Sequence, residues 1–237
     1  MKNSTMTFLF DVDGTLTDAR KPIDKEFESF LQEFIKHNKC FIVTGSDRPK
    51  TVEQIGLELT NAFDRVYHCS GNHVFEGNKE VKKNNWTLSD AQHTFLQEHL
   101  QKINYSEMTG NHIEQRTGTA NFSIVGRNAN WDQRKRYSKW EEINKGRETV
   151  AMYFNQEFKD SIAQVAGETS IDIFPIGCDK SQVLVEQEGT TIFFGDNCYP
   201  GGNDYTAAQA STYYHQIDNG YKQTWEILKN TYISVDK

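Results

Sequence analysis

The stretch Phe8-Leu9-Phe10-Asp11-Val12-Asp13-Gly14-Thr15-Leu16-Thr17 decides the fold. Phe8 to Phe10 is a short apolar run of the kind a buried strand shows. It ends on two carboxylates one residue apart. Along a straight strand Asp11 and Asp13 would point to opposite faces. Gly14 permits a turn there, which would bring both carboxyls to the strand's carboxyl end. In open α/β sheets ligands bind at that end. Two acids at one strand tip repel unless they share a proton or a cation. A Mg²⁺ ion resolves the repulsion, because it takes oxygen ligands and keeps positions open for water or phosphate oxygens.

A lone D-x-D also suits an ordinary Asp-Gly turn after an edge strand. The full D-V-D-G-T-L-T string is more specific, and it resembles the nucleophile motif of the haloacid dehalogenase (HAD) superfamily of phosphotransferases. The resemblance implies that Asp11 attacks phosphorus and becomes an aspartyl phosphate. It also implies that Asp13 moves protons to and from the substrate oxygen.

Outward from that stretch, Pro22 and Asp24 suit a loop and a helix start. Lys25 to His37 carries Phe27, Phe30, Leu31, Phe34 and Ile35 at helical spacing. Cys40-Phe41-Ile42-Val43 is a second short strand, ending in Thr44-Gly45-Ser46-Asp47. Strand, helix and strand at this spacing form a βαβ unit, so the sheet is expected to be parallel. A hydroxyl at the second strand tip, from Thr44 or Ser46, is placed to hold a phosphate oxygen. Ser46 or Asp47 can equally cap the helix that follows, and a helix N-terminus itself attracts phosphate. Val66 to Cys69 reads as a third strand.

The chain has 237 residues, of which 36% are hydrophobic and 25% charged. That is a globular composition with a core of useful size. Net charge is -7, which argues against nonspecific binding to nucleic acid or anionic membrane. Cys40, Cys69, Cys178 and Cys198 form no C-x-x-C pair and no zinc spacing. No run approaches the ~18 apolar residues of a membrane span. The start of the chain has no apolar signal segment. A soluble, cytoplasmic protein is expected.

From about residue 78 to 177 glycine is sparser, charge is denser and the βαβ rhythm is lost. Leu88 to Ile103 reads as a helix. His112 to Arg116 and Ala120 to Val125 alternate like antiparallel strands around Thr117-Gly118. Arg134 to Glu157 reads as a long, charged, helical stretch, and Ser170 to Pro175 alternates again. The expected architecture is α/β: a HAD-like Rossmannoid parallel-sheet core over 1–77 and 178–237, with an inserted α+β cap over 78–177. Arg116, Arg127 and Arg134 stand out in the cap as candidate phosphate ligands, since arginine binds phosphate bidentately. Taken singly, each also suits surface salt bridging.

The core resumes at Gly177-Cys178-Asp179-Lys180. Lys180 can neutralise a phosphoryl group held between carboxylates. Thr191 to Phe194 is another buried strand, and it ends in Gly195-Asp196 and a glycine-rich turn to Asn203-Asp204. Asp196 is the natural third contributor to a Mg²⁺ site. Asn203 and Asp204 are further ligands or partners that orient water. His215 reads as structural.

Over most of its length the chain resembles the eukaryotic-type phosphomannomutases, HAD-fold α-D-phosphohexomutases. Asp11 to Arg20 resembles the family's first motif with its terminal arginine. Gly45-Ser46-Asp47 with Glu53 to Gly56 resembles G-S-D…E-Q-L-G. Arg116 to Arg127 resembles R-x-G-M-L-N-x-S-P-x-G-R, and Arg134 falls where the family has a further arginine. Ser170 to Pro175 with Asp179-Lys180 resembles S-F-D-V-F-P…D-K. Phe193 to Asp204 resembles F-F-G-D…G-G-N-D. The chain departs from the pattern at Thr119-Ala120, Ile124, Cys178 and Ser70 to Phe75.

The resemblance implies that Arg20, Arg116, Arg127, Arg134, Ser170 and Asp172 bind the sugar phosphate. It implies Mg²⁺, a hexose 1,6-bisphosphate activator, a homodimer through the cap and a place in GDP-mannose biosynthesis. The expected mechanism has Asp11 as nucleophile and Asp13 as general acid and base. Lys180 with Thr44 or Ser46 would stabilise the equatorial oxygens. A sugar-phosphate phosphatase would use the same residues and let water in. A silent scaffold is disfavoured, because every catalytic acid is present.

Overall fold

The computed structural model describes residues 6–233. These residues divide into two compact units, 6–83 with 178–200 and 204–233, and 84–177 with 201–203. The first unit is built on β1 (Met6–Phe10), α1 (Lys25–His37), β2 (Lys39–Val43), α2 (Arg48–Ile55), α3 (Leu57–Ala62), β3 (Arg65–His68), β4 (His73–Glu76) and β5 (Lys79–Lys83). The second holds α4 (Asp90–Lys102), β6 (Ile113–Arg116), β7 (Thr119–Ser123), α5 (Trp131–Asn144), α6 (Gly146–Glu157), β8 (Ser161–Ala166) and β9 (Ser170–Pro175). The chain then returns to the first unit with β10 (Thr190–Gly195), α7 (Tyr205–Ala210), β11 (Tyr213–Gln216) and α8 (Tyr221–Ile227).

The first unit's sheet runs β11-β10-β1-β2-β3-β4-β5. β11, β10, β1, β2 and β3 pair in parallel, while β3–β4 and β4–β5 are antiparallel. β1 therefore has parallel neighbours on both edges. Its Phe8 to Phe10 run is apolar because both faces are covered. Phe8 and Phe10 enter a cluster with Phe27, Leu31, Phe34 and Phe194. Leu9 turns the other way, against Phe41, Tyr67, Phe193, Ala207 and Ala208. Asp24 caps α1 by accepting from the N–H groups of Glu26 and Phe27 at 3.0 and 3.1 Å.

The inserted segment starts at residue 84, not 78. The reason is β5, which pairs with β4 and so stays with the first unit's sheet. The hairpin turn at Gly77-Asn78 gives an antiparallel extension that a βαβ rhythm does not anticipate.

The second unit is a four-stranded antiparallel sheet, β6-β7-β9-β8. Ala120, Phe122, Ile171 and Ile173 face a core shared with Leu96, Tyr137, Val150 and Phe154 of its helices. Strand alternation puts Asn121, Ser123, Ser170 and Asp172 on the opposite face. The long charged stretch is helical in two pieces: Lys145 adopts a left-handed φ of 51° and separates α5 from α6. No described helix is long and apolar enough to cross a membrane.

Candidate active site

β1 delivers Asp11 to the carboxyl end of the sheet, where its N–H donates to the Phe194 carbonyl at 2.9 Å. The next strand over, β10, ends just before Asp196. A short 3-10 turn, Lys180–Val183, carries Lys180 with Asp179 as its cap. The Lys180 ammonium donates to Asp11 Oδ1 and to Asp204 Oδ1, each at 2.6 Å. Lys180, Asp11 and Asp204 are at most 4% exposed. A buried lysine survives only with such partners. Burial alone would lower the Lys180 pKa, yet Asp11 and Asp204 raise it above its ordinary value.

Asp11, Asp196 and Asp204 offer carboxylate oxygens that all lie within 4.8 Å of one another. Burial pushes the Asp11 pKa well up, with Asp204 and Asp196 adding to the rise against Lys180. Asp196 is pushed up to about 7 by burial and by Asp204. Three carboxylates share one ammonium here, so the cluster has room in charge for a further cation. Hard oxygen donors at this spacing fit Mg²⁺. Gly14 makes the packing possible: at φ 77° a Cβ would stand 2.5 Å from Asp196 Oδ2. A cavity of about 720 Å³ opens beside Gly14 and Asp196, with Asp18, Tyr205 and Tyr214 in its wall.

Asp13 does not join that cluster. Its Oδ1 accepts from the Arg20 backbone N–H at 2.7 Å and from the Gln54 amide at 2.8 Å. Lys50 Nζ lies 3.5 Å from its Oδ2. Burial acts to raise the Asp13 pKa, but Lys50 and these hydrogen bonds outweigh it and hold it below the ordinary value. The geometry separates two carboxylates that the sequence placed together as metal ligands. Asn203 falls in the 201–203 segment grouped with the second unit.

Thr44 and Ser46 lie in the loop after β2, beside the tip of β1. Both are buried. Ser46 N–H donates to Thr44 Oγ1 at 3.1 Å, so the threonine hydroxyl supports the loop. Asp47, not Ser46, caps α2, by accepting from Lys50 N–H at 3.0 Å. The turn after β3 braces the same loop: Cys69 N–H donates to the Ser46 carbonyl and Ser70 N–H to that of Thr44. Cys69 and Ser70 are left-handed, with φ 49° and 59°. Arg20, the one substrate-binding candidate of the first unit, is itself left-handed at φ 62° and supplies the N–H that Asp13 accepts.

In the second unit Arg116 and Arg127 converge on one carboxylate. Arg116 donates to Glu114 Oε2 through Nη2 at 2.6 Å and Nε at 3.0 Å, and Arg127 Nε lies 3.2 Å from the same oxygen. Arg134 donates to the Ala129 carbonyl and to Thr169 Oγ1. Asn121, paired across the strands with Asp172, donates to its Oδ1 at 2.7 Å. The Asn121 carbonyl oxygen is buried without a partner among the described residues. Ser170 opens β9 on the same face. Arg116, Arg127, Asn121 and Asp172 thus lie along one sheet face.

Sequence reasoning missed Gln54, Lys50, Glu114 and Asn121. Lys50 and Gln54 are four apart, which puts them on one helix face. Glu114 and Arg116 are two apart on a strand, which puts them on one sheet face. Those spacings were the available signal. The His215 ring lies 2.8 Å from Tyr232 OH.

A parallel sheet whose β1 leads into Asp11, with an α+β unit inserted in the chain between its strands, has the HAD-type fold. Solved structures with this architecture include an IMP-nucleotidase of Plasmodium falciparum, at 15% identity over 94% of this chain and 65% of that one, with TM-score 0.63. The C-terminal domain of a C. albicans trehalose-6-phosphate phosphatase matches at 15% identity over 86% and 72%, with TM-score 0.60. The family model described as eukaryotic phosphomannomutase matches residues 27–234. A phosphomannomutase of Drosophila melanogaster is 34% identical over 220 residues, 86% of this chain and 87% of that protein. One of Saccharomyces cerevisiae is 34% identical over 211 residues, 83% and 82% of the two chains. The chain belongs to the eukaryotic phosphomannomutase family, and it is an enzyme of that family.

Proposed function

We propose that the enzyme interconverts mannose 6-phosphate and mannose 1-phosphate through an aspartyl phosphate on Asp11. The observation that carries this reading is the Lys180 ammonium, held between Asp11 and Asp204 beside Asp196. Asp11 is the nucleophile: its oxygen forms the bond to phosphorus while the bond from phosphorus to the sugar oxygen breaks. Asp13 gives a proton to that leaving oxygen, and takes one from the hydroxyl that later receives the phosphoryl group. Lys180 offsets charge on the phosphoryl oxygens, with Ser46 or Thr44 supplying a hydroxyl. Mg²⁺, held by Asp11, Asp196 and Asp204, would supply further charge neutralisation. A hexose 1,6-bisphosphate would keep Asp11 phosphorylated between turnovers.

Arg20, Arg116, Arg127 and Arg134 are assigned to the substrate's phosphate, and Ser170 and Asp172 to sugar hydroxyls. The orphaned Asn121 oxygen supports that assignment, because a buried acceptor is satisfied by a hydroxyl donor. A homodimer through the second unit belongs to the same reading. Ile143, Met152 and Tyr153 are exposed on its helices and give such a contact apolar surface to cover. A cytoplasmic setting belongs to the same reading.

The test is phosphorus NMR on purified protein with Mg²⁺, mannose 1-phosphate and a trace of hexose 1,6-bisphosphate. Conversion to mannose 6-phosphate with little free phosphate is expected. Free phosphate without isomerisation would make the enzyme a phosphatase. Glucose 1-phosphate in the same assay measures sugar preference.

A further inference from the structure

Gln54 ties two parts of the catalytic loop to α2. Its backbone carbonyl accepts from Ile23 N–H at 2.9 Å, and its side-chain amide donates to Asp13 Oδ1 at 2.8 Å. The side chain is 5% exposed, and its own Oε1 is buried without a partner among the described residues. An unsatisfied buried acceptor costs stability. The flipped amide would set Oε1 against the Asp13 carboxylate, so the side chain is held with its NH₂ aimed at Asp13.

The consequence lies in which Asp13 oxygen is occupied. Oδ1 already accepts two N–H groups, from Gln54 and from the Arg20 backbone. An oxygen that accepts two donors remains the carbonyl-like oxygen of a protonated carboxyl. The transferable proton is left to Oδ2, the oxygen that lies 3.5 Å from Lys50 Nζ. We propose that Gln54 is a positioning residue of the phosphoryl-transfer reaction, which fixes the Asp13 carboxyl so that Oδ2 alone carries the proton. As the bond between phosphorus and the sugar oxygen breaks, its electron pair stays on that oxygen, which takes the Oδ2 proton. In the return step Oδ2 recovers a proton from the attacking hydroxyl. This inference rests on the reading of Asp13 as acid and base.

The test compares two leaving groups in the first turnover, before any dephosphorylation step. A sugar alkoxide must be protonated as it leaves, whereas 2,4-dinitrophenolate need not be. Gln54→Met keeps the volume and removes the donor. Phosphorylation of Asp11 by a hexose phosphate is expected to slow about tenfold or more beyond any slowing with dinitrophenyl phosphate, out of the 10²–10⁴ that general acid catalysis provides. Affinity for the hexose phosphate should change less than about twofold on the same scale. Equal slowing with both substrates, or none with the sugar, overturns the role of Gln54. Asp13→Asn in the same assay separates the two ideas. If it too fails to discriminate between leaving groups, the acid–base reading of Asp13 is what falls.

Discussion

Lys180 Nζ lies 2.6 Å from Asp11 Oδ1, and both side chains are closed off from solvent. This one contact joins residues 169 positions apart in the chain. Removing the cation leaves Asp11 and Asp204 as buried, uncompensated acids. Lys180→Met is expected to destabilise the protein by about 3–5 kcal/mol, read from urea unfolding. An unchanged midpoint would mean that Lys180 does not balance these charges.

Asp11→Asn should reduce phosphosugar turnover by at least about 10³-fold, as loss of a nucleophile does. The measurement is the phosphorus NMR assay. Retained turnover would remove Asp11 from the nucleophile's role.

Arg127→Ala removes one guanidinium from the pair that meets at Glu114. The expected result is a KM for mannose 1-phosphate raised about 10- to 100-fold, the loss of a charged hydrogen bond of about 1.5–3 kcal/mol. Hydrolysis of a small aryl phosphate, which has no distal group for Arg127 to hold, should suffer much less. Equal losses on both substrates would count against a substrate-phosphate contact.

Gly14→Ala carries two costs. A side chain at φ 77° is strained by about 1–2 kcal/mol, and the new methyl meets the Asp196 carboxylate. Activity and Mg²⁺ affinity should both fall, the latter read from the Mg²⁺-dependent shift in melting temperature. A variant whose melting temperature responds to Mg²⁺ like wild type would show that Asp196 can move without consequence.

His68 is fully buried, and burial, helped by the charges of Arg48 and His73, holds its pKa down to about 3. In the unfolded chain a histidine titrates near 6.5. Between those values the unfolded state binds a proton that the folded state refuses. Stability contributed by neutral His68 is therefore full above about pH 6.5 and is lost as pH falls, by about 1.4 kcal/mol per unit. From pH 7 to pH 5 wild type should lose about 2 kcal/mol more than His68→Gln in urea unfolding. Parallel losses in the two proteins would remove His68 as the source.

The core's parallel strands were legible because β1, β2 and β10 are short apolar runs that end on polar residues, and a strand covered on both faces leaves that mark. The β4–β5 hairpin was not, since all of β5 is exposed and charged residues surround its one apolar side chain, Val81. Nor was the break at Lys145, where a lysine takes a conformation that favours glycine. Within the site, Asp11, Lys180 and Asp196 could be read from motif and strand tip. The parting of Asp13 from Asp11 could not, because it is settled by Gln54 and Lys50 from a helix whose register the sequence leaves open.

The sheet order carries a consequence for how the protein is made on the ribosome. β1 pairs with β2 on one edge and with β10 on the other. Its second neighbour emerges only after the whole inserted unit has been synthesised. Until then a nascent chain holds β1 with one unpaired, hydrophobic edge, the kind of edge that recruits other strands. The sheet of the inserted unit, whose strands all lie within 84–177, is complete earlier. Translation therefore finishes the second unit's sheet first, and β1 stays a vulnerable template until the last fifth of the chain arrives.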